Sequence, residues 1–167
     1  MKRGWFGCDI AVRFAAGLVL ALALASCASM SGGGMSGASP ANDANALVDR
    51  WSNAYTSNDP EAIVKCYTAD AILLGTVSPI MSVGSDAIRT YFSAVKGSGN
   101  RNAISERKTI VLDDRAVVVT GFYVFTRMKD GQAIPGPSRF TMLVVRGDDG
   151  QWRIAHHHSS PHVQPKG

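Results

Sequence analysis

Three consecutive histidines, His156, His157 and His158, close the strongest pairing signal in the sequence, the stretch SRFTMLVVRGDDGQWRIAHHHSS from Ser138 to Ser160. Imidazole exchanges protons near neutral pH and ligates metals, so the chemistry to weigh first is acid–base or metal chemistry. The stretch reads as two strands joined by a turn at Gly147-Asp148-Asp149-Gly150. Along a regular strand Trp152, Ile154, His156 and His158 share one face, and Arg153, Ala155, His157 and Ser159 share the other. Trp152 and Ile154 are core-type residues, so His156 and His158 are expected to reach into a cavity on the covered side of the sheet. Arg139, one strand earlier, would add a fixed cation if its face is the inner one. Such a cavity suits a small ligand carrying a carboxylate or another anionic or polar group.

Four readings compete for these residues. An acid–base enzyme would use His156 or His158 for proton transfer, with Asp70 or Tyr91 as helper. Metal binding would use His156 and His158, which an i, i+2 spacing can bring together. No third or fourth ligand is evident, so no metal site and no cofactor are assigned. A non-catalytic domain would bind a ligand at His156, His158, Arg139 and Tyr91, or serve assembly. In the fourth reading the histidines only bond to neighbouring backbone or hydroxyls. The non-catalytic binding or association domain is preferred, with the acid–base enzyme as the alternative.

The elements that must position these groups follow from periodicity. Asn42 or Asp43 can cap a first helix whose apolar face is Leu47, Trp51, Ala54 and Tyr55. Asp59-Pro60 fits an N-cap and first helical position, opening a short helix with Ile63, Val64 and Tyr67 on one side. Ala71 to Leu74 is a short strand, and Gly75 to Gly84 a loop. Ser85 caps a third helix with Ile88, Tyr91, Phe92 and Val95 at i, i+3, i+4, i+7. The period then changes to that of strands: Ile104–Leu112, Ala116–Met128, Phe140–Arg146 and Trp152–Ser159. Asp130-Gly131 and Pro135-Gly136-Pro137 mark a longer connection between the second and third of these. Helices first and a meander last predict an α+β fold, three N-terminal helices packed on a curved antiparallel sheet. The strand AVVVTGFYVFTRM is apolar on both faces. A sheet with one face in water would alternate, so the second face is expected to be covered by another subunit in a homo-oligomer.

Composition bounds the remaining classes. The 167 residues are 46% hydrophobic and 18% charged, which excludes wholesale disorder. Lys2, Arg3, Arg13 and Asp9 fall within the first 26 residues, leaving 14 basic and 12 acidic beyond them. No basic stripe interleaved with aromatics appears, so nucleic acid is not an expected partner. Lys2, Arg3 and Arg13 precede an apolar run from Phe14 to Ala25, shorter than the roughly 20 residues of a membrane span. Leu24-Ala25-Ser26-Cys27 resembles the bacterial lipoprotein signal, which implies cleavage before Cys27 and its lipidation. The alternative is plain secretion with cleavage after Ala23-Leu24-Ala25. The chain thus divides into a signal peptide (1–26), a lipidated cysteine and Ser/Gly tether (27–41), a folded domain (42–162) and a tail (163–167). Ala28 gives no aspartate-type retention cue, so the periplasmic side of the outer membrane is the expected address. The membrane is reached through the lipid anchor only. Cys66 then has no intramolecular partner and reads as a buried structural thiol.

Tyr67-Thr68-Ala69-Asp70-Ala71 followed by Leu73-Leu74 resembles a segment of the nuclear transport factor 2-like superfamily, whose domains are cone-shaped. Gly75-Thr76-Val77-Ser78-Pro79, Ile88-Arg89-Thr90-Tyr91-Phe92, Arg139-Phe140-Thr141 and the run from Asp149 to Ser160 are similar to a bacterial branch. That branch resembles the association domain of calcium/calmodulin-dependent protein kinase II. The resemblance covers residues 42–162. It implies a subunit-assembling domain, without kinase activity and without calmodulin as a partner. Association-domain pockets are lined by strand arginines, for which Arg127 and Arg139 are the nearest counterparts. Other superfamily members are ketosteroid isomerases, polyketide cyclases, dehydratases and epoxide hydrolases, so fold alone does not decide activity.

Overall fold

The computed structural model describes residues 39–163. The expected signal peptide, the expected lipidation site Cys27 and the expected tether up to residue 38 lie outside the described residues, as do residues 164–167. No described helix is long and apolar enough to cross a membrane.

Helix α1 spans Pro40–Thr56. Its N-cap is Ser39, whose hydroxyl accepts from the Asn42 N–H at 3.3 Å. The expected caps Asn42 and Asp43 instead lie in the first turn. Pro40 explains the earlier start: it has no N–H to leave unpaired, and its φ is already helical. The face of Leu47, Val48, Trp51 and Tyr55 is buried. Helix α2 (Pro60–Val64) starts as expected, with Asp59 accepting from the Ala62 N–H at 3.0 Å. It ends before Tyr67, which instead begins strand β1 (Tyr67–Leu74). The following loop contains a three-residue strand, β2 (Met81–Val83), and helix α3 (Gly84–Phe92) is capped at Val83 without a side-chain bond. Gly84 takes φ +79°, which makes the strand-to-helix turn and moves the start ahead of Ser85.

Strands β3 (Arg101–Val111), β4 (Ala116–Lys129), β5 (Gln132–Arg146) and β6 (Trp152–Pro161) form the meander. The sheet order is β2-β1-β6-β5-β4-β3. The α+β expectation holds, with one difference: β1 pairs parallel to β6, so the sheet is mixed. The β4–β5 connection is also tighter than expected. Asp130 (φ +51°) and Gly131 (φ +75°) alone make the turn, because their left-handed backbone matches the twist of the strands. Pro135 and Pro137 therefore lie within β5. Pairing with β6 stops at Ser138 opposite Pro161, so the missing N–H groups interrupt no ladder.

Helices α1 and α3 contact the sheet, and α2 packs against both of them. Trp51 is 1% exposed and sits at the centre of the layer between, its ring 6.0 Å from Tyr123, 6.2 Å from Phe92 and 5.1 Å from His157. Burying a side chain of this size stabilises the fold by about 3 kcal/mol. Polar contacts set the pitch of α1 on β3: Arg107 donates to both Asp49 carboxylate oxygens, and Ser52 donates to Asn102 Oδ1 at 2.7 Å. Ser105 is an extra residue in the β3–β4 ladder, and the bulge presses the Glu106 carbonyl onto Gly121. A Cβ there would lie 2.0 Å from that oxygen.

Candidate functional site

Strand β6 does not alternate regularly. Leu143 lies opposite His156 while Val144 lies opposite Ile154, so Ala155 is an unmatched bulge residue. One extra residue reverses the faces of everything after it. Trp152 and Ile154 point into the core, and so do His157 and Ser159; His156, His158 and Ser160 turn to the far face. The expectation that His156 and His158 reach the helix-covered cavity is therefore corrected. The inward histidine is His157, 1% exposed.

His157 sits in a chain of buried polar groups. Its Nδ1 is 2.8 Å from the Tyr67 hydroxyl and its Nε2 is 3.4 Å from the Tyr123 hydroxyl. Tyr123 donates to Ser159 Oγ at 2.5 Å, and Ser159 Oγ is hydrogen-bonded to Thr76 Oγ1. Burial pushes the imidazole down to about 3, with His156 and His158 acting in the same direction. Burial also raises the phenols of Tyr67 and Tyr123, so each member of the chain is neutral at pH 7.

Thr76 ends the chain at the wall of a cavity of about 370 Å³ between α1, α3 and the sheet. The rings of Tyr55, Tyr91, Phe92 and Phe125 contribute to its lining, together with Val77, Val95 and Pro137. Gly75 makes room for Tyr91, because a Cβ there would lie 2.3 Å from the ring. Burial raises the Tyr55 and Tyr91 phenols; the Tyr91 shift is opposed by a backbone bond from Thr76. Arg127 and Asn100 line both this cavity and an adjoining groove that includes Ser98 and Lys129. Arg127 is exposed, and among the described residues no carboxylate forms a salt bridge with it. The volume, the aromatic walls and the few polar groups are those of a site for a small organic ligand.

A family profile described as a SnoaL-like domain matches residues 44–164. The chain belongs to the SnoaL-like domain family, within the nuclear transport factor 2-like superfamily. A solved structure from Xanthomonas campestris, described as a calcium/calmodulin dependent protein kinase II association domain, is 30% identical. Its TM-score is 0.69, over 74% of this chain and 89% of that one. A ketosteroid isomerase-like protein from Erwinia carotovora atroseptica is 20% identical, with TM-score 0.62 over 75% of this chain and 97% of its own. A protein from Novosphingobium aromaticivorans described as an aromatic ring hydroxylase is 19% identical, with TM-score 0.65 over 73% and 88%. The last two show the fold alone. No curated protein matches the chain.

Within this SnoaL-like domain the expected site residues separate. Tyr91 lines the cavity. Arg139 and His158 do come together, but in a groove of about 540 Å³ on the opposite face of the sheet, where Arg139 Nε donates to Ser160 Oγ at 3.1 Å. His156 is half-buried on that same far face, flanked by Leu143 and Ile72. Asp70 is exposed on β1 and is not part of the cavity wall. Among the described residues no three His, Cys, Asp or Glu side chains converge as a metal cage would require. Cys66 is buried, and burial raises its thiol. Sequence reasoning missed His157, Ser159, Tyr123 and Thr76. The bulge that turns the first two inward has no local signature, since Ala155 is unremarkable in a strand.

Proposed function

We propose that this domain binds a small amphipathic anion without transforming it. The apolar body packs among the rings of Tyr55, Phe92 and Phe125, and the anionic group meets Arg127. The observation that carries this is the position of Arg127, without a salt-bridge partner among the described residues, where the aromatic cavity adjoins the polar groove. A guanidinium beside a partly desolvated pocket favours a carboxylate or a similar group. The lining contains no Asp, Glu or His side chain that could serve as an acid–base group. The acid–base alternative relied on His156 and His158, which face away. Binding of 4-phenylbutyrate against its neutral amide, followed by the fluorescence of Trp51 behind the cavity wall, tests the assignment. Arg127→Ala should weaken the anion roughly tenfold and leave the amide unchanged. Equal losses for both, or none, would refute the role of Arg127.

The same reading includes assembly and address. The far face of the sheet carries Val118, Leu143 and Ile72 in one cross-strand row, with Phe122 and Val124 beside it. These half-buried apolar side chains support a homo-oligomer formed sheet to sheet. The Xanthomonas campestris association-domain relative supports assembly as part of the role. The lipoprotein-like Leu-Ala-Ser-Cys27 segment supports tethering to the cell envelope.

A further inference from the structure

The far face of the sheet carries its charges in an order that one copy alone does not use. Glu106 on β3, Phe122 on β4 and Arg139 on β5 stand side by side in one cross-strand row. Glu106 and Arg139 are both exposed, and among the described residues neither forms a salt bridge. Within one copy they are held apart by two strand spacings, about 10 Å, with the Phe122 ring between them. Two copies packed face to face remove that separation. Their two-fold axis must lie between the sheets, and the contact is then isologous. An axis running along β4 keeps β4 over its counterpart and lays β3 of each copy over β5 of the other. Glu106 of each copy then faces Arg139 of the other, on either side of the paired Phe122 rings. The neighbouring rows fit the same operation. Ile110, Val118 and Leu143 form one row, so Ile110 meets Leu143 and Val118 meets Val118. Lys108, Thr120 and Thr141 form the next, so Lys108 meets Thr141. Ile110, 54% exposed on the edge strand of a single copy, thereby gains an apolar partner. An axis along the row instead would set Glu106 on Glu106 and Arg139 on Arg139, which like-charge repulsion opposes.

We propose that Glu106 and Arg139 form reciprocal ion pairs between two copies of this chain, with the two-fold axis along β4. This rests on the sheet-to-sheet assembly reading above and gives it a register. The apolar contacts of Phe122, Val118, Ile110 and Leu143 supply area, and the two ion pairs select which of the possible face-to-face arrangements forms.

Charge reversal followed by sedimentation velocity tests the register. Glu106→Arg and Arg139→Glu each place like charges at two symmetry-related contacts. Each variant alone should lose at least about a hundredfold in dimer affinity and sediment as a monomer where the parent protein is a dimer. Mixed one to one, the two variants should form a heterodimer, because one carries two arginines at these positions and the other two glutamates. The double variant, Glu106→Arg with Arg139→Glu, should dimerise by itself. Both substituted side chains are exposed, so circular dichroism spectra should match the parent's. A single variant that stays dimeric would overturn this register, as would a mixture or a double variant that stays monomeric. Loss of the parent dimer on Phe122→Glu would still support the far face as the interface. A monomeric parent would remove the assembly reading, and this inference with it.

Discussion

Lowering the pH from 6.5 to 5 should remove about 2 kcal/mol of stability through His157 alone. The folded protein holds this imidazole neutral down to about pH 3, against an ordinary value of 6.5. Desolvation in a fully buried site is the main cause. The charges on His156 and His158, its neighbours along β6, act the same way, and the facing groups from β1 and β4 are the neutral phenols of Tyr67 and Tyr123. The sign follows from proton binding. Above pH 6.5 neither state protonates the residue. Between about 6.5 and 3 the unfolded chain binds a proton and the folded one does not, so stability falls as pH falls. The slope is about 1.4 kcal/mol per pH unit, and a unit and a half gives about 2 kcal/mol. For a domain of this size that corresponds to roughly 8 °C in Tm. Urea unfolding followed by tryptophan fluorescence at pH 7, 6 and 5 measures it. His157→Asn is the control: an amide keeps one acceptor and one donor but does not titrate. The variant starts less stable, yet its pH dependence should be shallower by the same 2 kcal/mol. Parallel slopes for the two proteins would refute a buried neutral imidazole.

Gly121→Ala should destabilise by about 1–3 kcal/mol, because the new methyl would meet the Glu106 carbonyl at the β3 bulge; an unchanged urea midpoint would show that the bulge yields. Phe122→Glu should convert the oligomer to monomers in sedimentation velocity while the circular dichroism spectrum stays the same. A wild-type monomer, or an assembly that survives this charge, would remove the far face of the sheet as the interface. Cys27→Ser should move the protein from the membrane fraction to the soluble fraction, and persistence in the membrane would rule out the lipid anchor.

Much of the fold was legible because it is decided locally. The Asp59-Pro60 start of α2 needs only a side-chain acceptor and a preset φ, and both are in the dipeptide. The Gly147–Gly150 turn is equally local: the Gly147 N–H bonds the Gln151 carbonyl, and Gly150 takes φ +75°. The burial of Trp51 and Tyr55 on one face of α1 follows from helical period. Where reading failed, a distant partner had overruled a local preference. Ser85 is the better N-cap by type, but pairing of Met81–Val83 with β1 carries the backbone into the helix at Gly84. Pro135-Gly136-Pro137 is loop-like by type, yet it stays in the ladder with β4 because no strand lies on its other side.

The candidate site shows the same division. The residues themselves determined that a histidine would stand on the last strand and that Tyr91 would share the apolar face of the third helix with Ile88 and Phe92. Only the tertiary structure decided which histidine. A strand with period two assigns His156 and His158 to the face of Ile154, whereas the bulge at Ala155 hands that face to His157 and Ser159. The bulge lies between pairings with β1 on one side and β5 on the other, some 80 residues and about a dozen residues away along the chain. A face reversal that depends on two neighbouring strands at once is invisible to any reading of the strand alone.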